Sequence, residues 1–230
     1  MSLYKQAHGY LIHQRDFSNS SLIIEFFSLE YGMISIVAKG IKTNKLLKSQ
    51  LQYFSPLKIQ YYGKSQLKTL VSINLLDSIS YDNIIEKTAG LYLNELLHYS
   101  LAEFDQTEKL YCSYQKALSQ LGKGKLTPIL REFEQELLKY NGFELNSNPS
   151  ISDDCWIWID EQMGITEASK DSDKLCTHSD LINFLSHQSL DRNEQKRINR
   201  FMIQAVDMSL NYKRLYSREM LKTLTSVRNV

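Results

Sequence analysis

Apolar and polar positions trade places at short intervals through residues 1–80, whereas from Tyr81 onward apolar residues recur at helical spacing. Tyr4–His13 has β-type composition, and Ser21–Leu29 (SLIIEFFSL) is rich in β-branched and aromatic residues. A turn at Glu30–Gly32 leads into Met33–Lys39, where Ile34, Ile36 and Ala38 fall on one face and Ser35 and Val37 on the other. Pro56–Tyr62 and Gln66–Leu76 follow, separated by a Gly63–Ser65 turn. In the last of these, Leu67, Thr69, Val71, Ile73 and Leu75 alternate with Lys68, Leu70, Ser72 and Asn74. Five short strands, with a long loop between the third and fourth, predict a small barrel of the OB type. The same periodicity also accommodates an SH3-like barrel.

The second part reads as helical. Asn83–Glu103 carries Leu91, Leu93, Leu96, Leu97 and Leu101 at helical spacing. Thr107 is placed to cap a second helix ending near Leu121, before Gly122–Gly124. Thr127 followed by Pro128 predicts a helix start, with the hydroxyl at the N-cap and proline at N1, and Gly142 supplies a left-handed terminator after Asn141. A hairpin is expected at Cys155–Ile159, with a turn through Glu161–Gly164 and a short return. A short helix at Ser179–His187, a helix opened by the capping-box pair Asp191 and Glu194 and running to about Asn211, and a last helix over Tyr216–Val227 complete the chain. The overall expectation is an α+β protein with a barrel domain over 1–80 and a helical domain over 81–230.

Charge sharpens this division. The 230 residues carry a net charge of only +1. Residues 1–80 hold nine Lys and Arg against four Asp and Glu, a net +5, and residues 81–230 hold 18 against 22, a net −4. The basic excess concentrates between Val37 and Leu70, which contain Lys39, Lys42, Lys45, Lys48, Lys58, Lys64 and Lys68 and no carboxylate. Tyr53, Phe54 and the Tyr61–Tyr62 pair lie beside these lysines. Ammonium groups neutralise phosphates and aromatic faces stack on bases, which together grip single-stranded nucleic acid. The plainer reading is a solvated basic face over a β-sheet core.

Other chemistry finds little support. There is no phosphate-binding G-x-x-x-x-G-K-[ST] loop, no G-x-G-x-x-G and no G-x-S-x-G. Cys112, Cys155 and Cys176 form neither a disulfide framework nor a CxxC pair. His8, His13, His98, His178 and His187 are scattered without HxH or HExxH spacing, so each reads as a surface or core histidine and no metal is expected. The carboxylate pairs Asp153–Asp154 and Asp171/Asp173 read as solvated turns. With no nucleophile, base and orienting group in evidence, the chain reads as a binding protein and not an enzyme. No apolar run is long enough to span a membrane, which points to a soluble cytoplasmic protein.

Several segments resemble the bacterial recombination mediator family RecO. FFSLEYGMISIVAKGIK is similar to the family's Phe-Thr-x-x-x-Gly…Ala-Lys-Gly-x-[Arg/Lys] run, with Ser28 where threonine is common and Lys42 in the basic position. QLQYFSPLKIQYYGKSQLKTL resembles its Leu-Gln-x-Phe-x-Pro-Leu strand and hairpin. GLYLNELLHYSL and LREFEQELLKYNGF are similar to its two most recognisable helices, and LNYKRLYSREMLKTL resembles its closing helix, with Tyr216 where lysine is usual. The resemblance spans about residues 3–225.

It implies an amino-terminal OB-fold and a helical carboxy-terminal domain. It also implies binding of single- and double-stranded DNA, annealing of complementary strands, and work with RecR, and in many bacteria RecF, to load RecA onto strands coated by SSB. Such a protein would be nucleoid-associated. Some members carry a four-cysteine zinc module; here Cys155 and Cys176 lack partners, so the resemblance implies a hairpin in its place and no zinc. On this reading Arg15, Lys39, Lys42, Lys45, Lys48 and Lys64 contact phosphates. Tyr53 or Tyr61 stacks on bases, and Phe54 belongs to the core. The acidic SSB tail, ending in an aromatic residue, calls for a basic residue beside an apolar groove. Arg131, near Leu130 and Phe133, is one candidate, and the cluster Lys213, Arg214 and Arg218 is another. Pairing of Arg131 with Glu134 or Gln135 on its own helix is the competing reading. An RNA-binding OB-fold factor is the rival function.

Overall fold

The computed structural model describes residues 4–146, 149–161, 164–169 and 174–227, the last residue by its backbone alone. Asp171 and Asp173, and the turn residues Gln162 and Met163, lie outside the described residues. The strands β1 (Lys5–Asp16), β2 (Leu22–Ser28), β3 (Gly32–Ala38), β4 (Leu57–Tyr62) and β5 (Lys68–Leu75) close into a barrel in the order β1-β2-β3-β5-β4. This is the OB-type barrel that the alternation predicts. Leu11, Ile24, Phe26, Ile34, Ile36, Leu57, Ile59 and Ile73 fill its interior. β1 approaches β2 so closely at Gly9 that a Cβ there would lie 2.0 Å from the Phe27 carbonyl oxygen, so only glycine fits.

Two features depart from the alternation. Between β4 and β5 the register slips: Gln60 faces Ser72 but Tyr61 faces Leu70. The extra residue is Val71, which is 41% exposed, while Leu70 packs on the barrel core with Ile73 and Leu75. A strict period of two puts Val71 with Ile73 and Leu70 on the other face; the bulge reverses that assignment on its amino-terminal side. The segment between β3 and β4 is also more than a loop. It contains α1 (Lys45–Gln50), capped by the Asn44 side chain accepting from the Leu47 N–H at 3.1 Å. With six residues and none buried, α1 has too short an apolar stripe to register as a helix.

The chain forms two compact units, residues 1–133 with 215–230, and residues 134–214. In the first, α2 (Ile84–Ser100) packs against β1, and α3 (Glu108–Gln120) follows. The buried Asn94 donates to the carbonyls of Leu11 and Ile12 at 3.2 and 3.1 Å and accepts from the Tyr114 hydroxyl at 2.6 Å. Tyr10 and Phe27 on the barrel's outer side meet the rings of Tyr111 and Tyr114, with centroids 5.3–6.3 Å apart. Helices therefore cover part of the barrel surface. Phe54 is buried against α2, where a Cβ on Gly90 would come within 2.7 Å of its ring. The closing helix α7 (Tyr216–Val227) is capped from α2: Glu95 accepts from the Tyr216 and Ser217 N–H groups at 3.0 and 2.9 Å.

Helix α4 (Leu126–Tyr140) begins one residue before Thr127, so Thr127 is not its N-cap and Pro128 is its third residue. Proline is tolerated there because the first four N–H groups need no intrahelical partner. Thr107 does stand at the N-cap of α3, although its side chain makes no capping bond. At the end of α4, Gly142 takes φ +78, and the Phe143 N–H reaches the Leu138 carbonyl at 2.8 Å, closing the helix as expected.

In the second unit β6 (Trp156–Asp160) and β7 (Gly164–Glu167) form the expected hairpin, and β8 (Cys176–Thr177) adds a third strand on the other side of β6. α5 (His178–Leu185) opens with a capping box between Thr177 and Asp180, and α6 (Arg192–Ser209) with one between Asp191 and Glu194. Asp180 is buried yet ionised. Burial alone would raise its pKa, but hydrogen bonds from Arg197, at 2.6 and 2.8 Å, and from Thr177 hold it below the usual carboxylate range. No helix among the described residues is long and apolar enough to cross a membrane.

Candidate nucleic-acid interface

The β1–β2 turn and the β3–α1 segment lie side by side. The Lys42 N–H donates to the Ser20 carbonyl at 3.0 Å and the Gly40 N–H to the Ser21 hydroxyl at 3.4 Å. Lys42 Nζ reaches the Ser18 carbonyl at 3.0 Å and the Asp16 carboxylate at 2.8 Å. These bonds gather Arg15 at the end of β1, Lys39 after β3, and Lys42 and Lys45 in the next turns. Lys48 stands one helical turn beyond Lys45 on α1. Arg15, Lys39, Lys45 and Lys48 are exposed. Lys42 is partly enclosed and already neutralises Asp16, so it fastens the two segments together and contributes less free charge than the sequence suggests.

The turn also brings an aromatic ring to this rim. Phe17 is 55% exposed at the start of the β1–β2 connection, between Arg15 and the lysine-bearing segment. Phe17 lies outside the lysine-rich window, so the run of lysines and neighbouring aromatics does not point to it. Its signal was an isolated large aromatic residue in a polar turn, RDFSNSS, where no core needs it.

Tyr61 is a correction. It is 1% exposed and sits inside the barrel, where burial pushes its hydroxyl up to about 12. It cannot stack on a base. The reason is legible in the strand itself: Leu57, Ile59 and Tyr61 point inward, and Lys58, Gln60 and Tyr62 do not. Tyr53 is half-buried. It bridges Leu11 of β1 and lines a cleft with Ile12 and His13, with only part of its ring available. Phe54 lies in the core as expected.

Lys64 belongs elsewhere. It is exposed in the β4–β5 turn, which follows Tyr62, and the register of β4 places that turn beyond Lys5 at the start of β1. The β1–β2 turn follows Asp16 at the other end of the same 12-residue strand. The predicted site therefore divides into a compact group, Arg15, Lys39, Lys42, Lys45 and Lys48, and a second group, Lys64 with Lys5 and Lys68. In that second group Lys68 Nζ is held by the Ser65 carbonyl and lies 4.8 Å from the Phe104 ring centroid.

The partner-site candidates are likewise dispersed. Arg131 is half-buried on α4, but its apolar neighbours Leu130 and Phe133 are buried in the core and offer no open groove. Glu134, its suggested intrahelical partner, is fully buried. Lys213 and Arg214 are exposed between α6 and α7, and Arg218 is half-buried on α7, whose Tyr216 and Met220 are exposed.

A five-stranded OB-type barrel carrying helices, with cations along one rim, defines the class as an OB-fold protein with a helical extension. Comparison with known proteins specifies the family. Residues 1–79 match the family model described as Recombination protein O N terminal, and residues 82–152 match Recombination protein O C terminal. Among curated relatives, the DNA repair protein RecO of Actinobacillus pleuropneumoniae serotype 5b is 27% identical over 225 residues, 94% of each chain. That of Nitrosospira multiformis is 37% identical over 146 residues, covering 63% of this chain and 60% of the relative. That of Marinobacter nauticus is 32% identical over 145 residues, covering 61% and 59%. The matched stretch spans under two thirds of the last two relatives' lengths and nearly all of the first. The chain belongs to the recombination protein O family.

Proposed function

We propose that this protein is a non-catalytic mediator of DNA repair and homologous recombination that holds single- and double-stranded DNA by its phosphates and anneals complementary strands. The observation that carries this reading is the rim on which Arg15, Lys39, Lys45 and Lys48 are exposed together beside Phe17. Annealing needs no active site. Two strands held on one cationic surface repel each other less and meet at higher local concentration, and base pairing supplies the free energy. Phe17 offers a stacking face, worth about 1–3 kcal/mol per base in comparable sites. Family membership supports a role with RecR, and with RecF where present, in loading RecA onto SSB-coated strands. For the SSB tail, Arg218 is the better-placed candidate because Tyr216 and Met220 on its own helix are exposed apolar neighbours. Lys213 and Arg214 have the exposed Tyr212 beside them, whereas Leu130 and Phe133 beside Arg131 are buried.

Strand annealing of SSB-coated oligonucleotides, with and without the protein, tests the reading. Acceleration by the protein is expected, and no acceleration would remove the mediator role. Competition between single-stranded DNA and RNA of equal length distinguishes the rival: preference for RNA would assign the rim to an RNA-binding factor.

A further inference from the structure

Two of the five histidines that the sequence scatters meet beside α2. His13 on β1 and Glu25 on β2 are register partners, and His98 in the last turn of α2 reaches the same carboxylate from 73 residues away. His98 Nδ1 lies 2.5 Å from Glu25 Oε2, and His13 Nδ1 lies 3.9 Å from Glu25 Oε1. The two imidazoles stack with centroids 4.5 Å apart and planes 28° from parallel. One ligand atom from each residue lies within 4.8 Å of the others. His13 Nδ1 is also buried without a hydrogen-bond partner. A ring nitrogen sealed from water and left unpaired is costly, and such groups call for an explanation.

We propose that His13, Glu25 and His98 form a binding site for a divalent transition-metal ion of the zinc type. Two imidazoles and one carboxylate suit a borderline cation and disfavour magnesium and calcium, which take oxygen ligands. Bond lengths of about 2.0–2.2 Å in a tetrahedral site place neighbouring ligand atoms roughly 3.3 Å apart. The present separations of 2.5 and 3.9 Å lie on either side of that value; to close the site the ion displaces the His98–Glu25 hydrogen bond and its proton, and the stacked rings turn their Nδ1 atoms toward a common point. His13 and His98 also line a cleft of about 420 Å³ with Asn94, Tyr99 and Met220. The cleft gives the ion an entry path and a place for a water as fourth ligand. A bound ion would tie the β1–β2 ladder to α2, two residues before Arg15. The proposal stands on these three side chains and does not depend on the nucleic-acid reading.

The test uses the full chain stripped with chelator, carrying Cys112→Ser to remove an exposed thiol that would compete for zinc. Calorimetric titration with zinc chloride should show one saturable equivalent. Histidine-ring NMR should show zinc shifting the His13 and His98 signals and leaving those of His8, His178 and His187 in place. His13→Ala and His98→Ala should each weaken binding at least about tenfold, a loss that removal of a ligand's outer partner alone can produce. His8→Ala, which disrupts the His8–Glu30 pair at 2.6 Å on the same strand, should not. Absence of a saturable equivalent, or ring shifts confined to the other histidines, would overturn the site. The NMR result comes from the chain with its histidines intact, so it stands even if a histidine variant fails to fold.

Discussion

The barrel rim and the 134–214 unit use charge in opposite ways. The unit carries fourteen carboxylates against nine cations, a net −5, yet its best-defined charge pair is turned inward: Asp180 is 1% exposed and held by two hydrogen bonds from Arg197. At the rim, Arg15, Lys39, Lys45 and Lys48 face solvent, and one lysine, Lys42, is spent on a carboxylate. The lesson is that charged residues earn different roles from their surroundings. A cation beside a buried carboxylate is structural, because removing it strands a charge away from water. A cation on an exposed rim adds little to stability and remains available to a polyanion.

The sharpest way to break this contrast is Arg197→Ala. It leaves Asp180 buried and unpaired and should cost about 3–5 kcal/mol of stability, read by denaturant unfolding. DNA affinity at the barrel rim should be unaffected while the chain remains folded; a parallel loss would show that the unit contributes to binding. The same pair has an acid signature. Asp180 has a folded-state pKa below its unfolded value, so its contribution is complete above the unfolded value of 3.8 and is lost as pH falls through the lower folded one. Stability measured from neutral pH down to that range should fall in the parent chain and fall less steeply in Arg197→Ala.

Within the barrel, Tyr61→Ala should destabilise by about 3–5 kcal/mol through the cavity it leaves, with the remaining folded protein binding DNA normally. Phe17→Ala should do the reverse. It should cost binding up to about 1–3 kcal/mol if the ring stacks on a base, with the melting temperature nearly unchanged. A stability loss at Phe17, or a binding loss at Tyr61, would exchange their roles.

Much of this was legible beforehand. All five barrel strands fall within a few residues of the expected spans, and the capping box at Asp191 and Glu194 and the left-handed Gly142 stand where their residue types indicate. Local chemistry suffices for such features, since a cap or a turn is decided within a few residues. What escaped depends on longer-range geometry. The bulge at Val71 follows from how β5 fits against β4, and α1 is too short to carry a recognisable stripe. Tyr61 stands in a lysine-rich neighbourhood that suggests an exposed ring, yet its alternation with Leu57 and Ile59 puts it inside the barrel. Lys64 appears close to the other lysines in sequence, but the barrel's topology sends its turn to the other end of β1. The meeting of His13 and His98 needed the packing of α2 on β1, which no spacing rule encodes.

The most direct measurement is the salt dependence of single-stranded DNA affinity for the parent chain and for Lys39→Glu/Lys45→Glu/Lys48→Glu. On a single strand each phosphate-contacting lysine contributes about 0.7 of a unit to the slope of log affinity against log salt, so the triple variant should lose about two units along with most of its low-salt affinity, without loss of melting temperature. An unchanged slope and affinity in the folded variant would contradict a cationic rim as the DNA-binding surface.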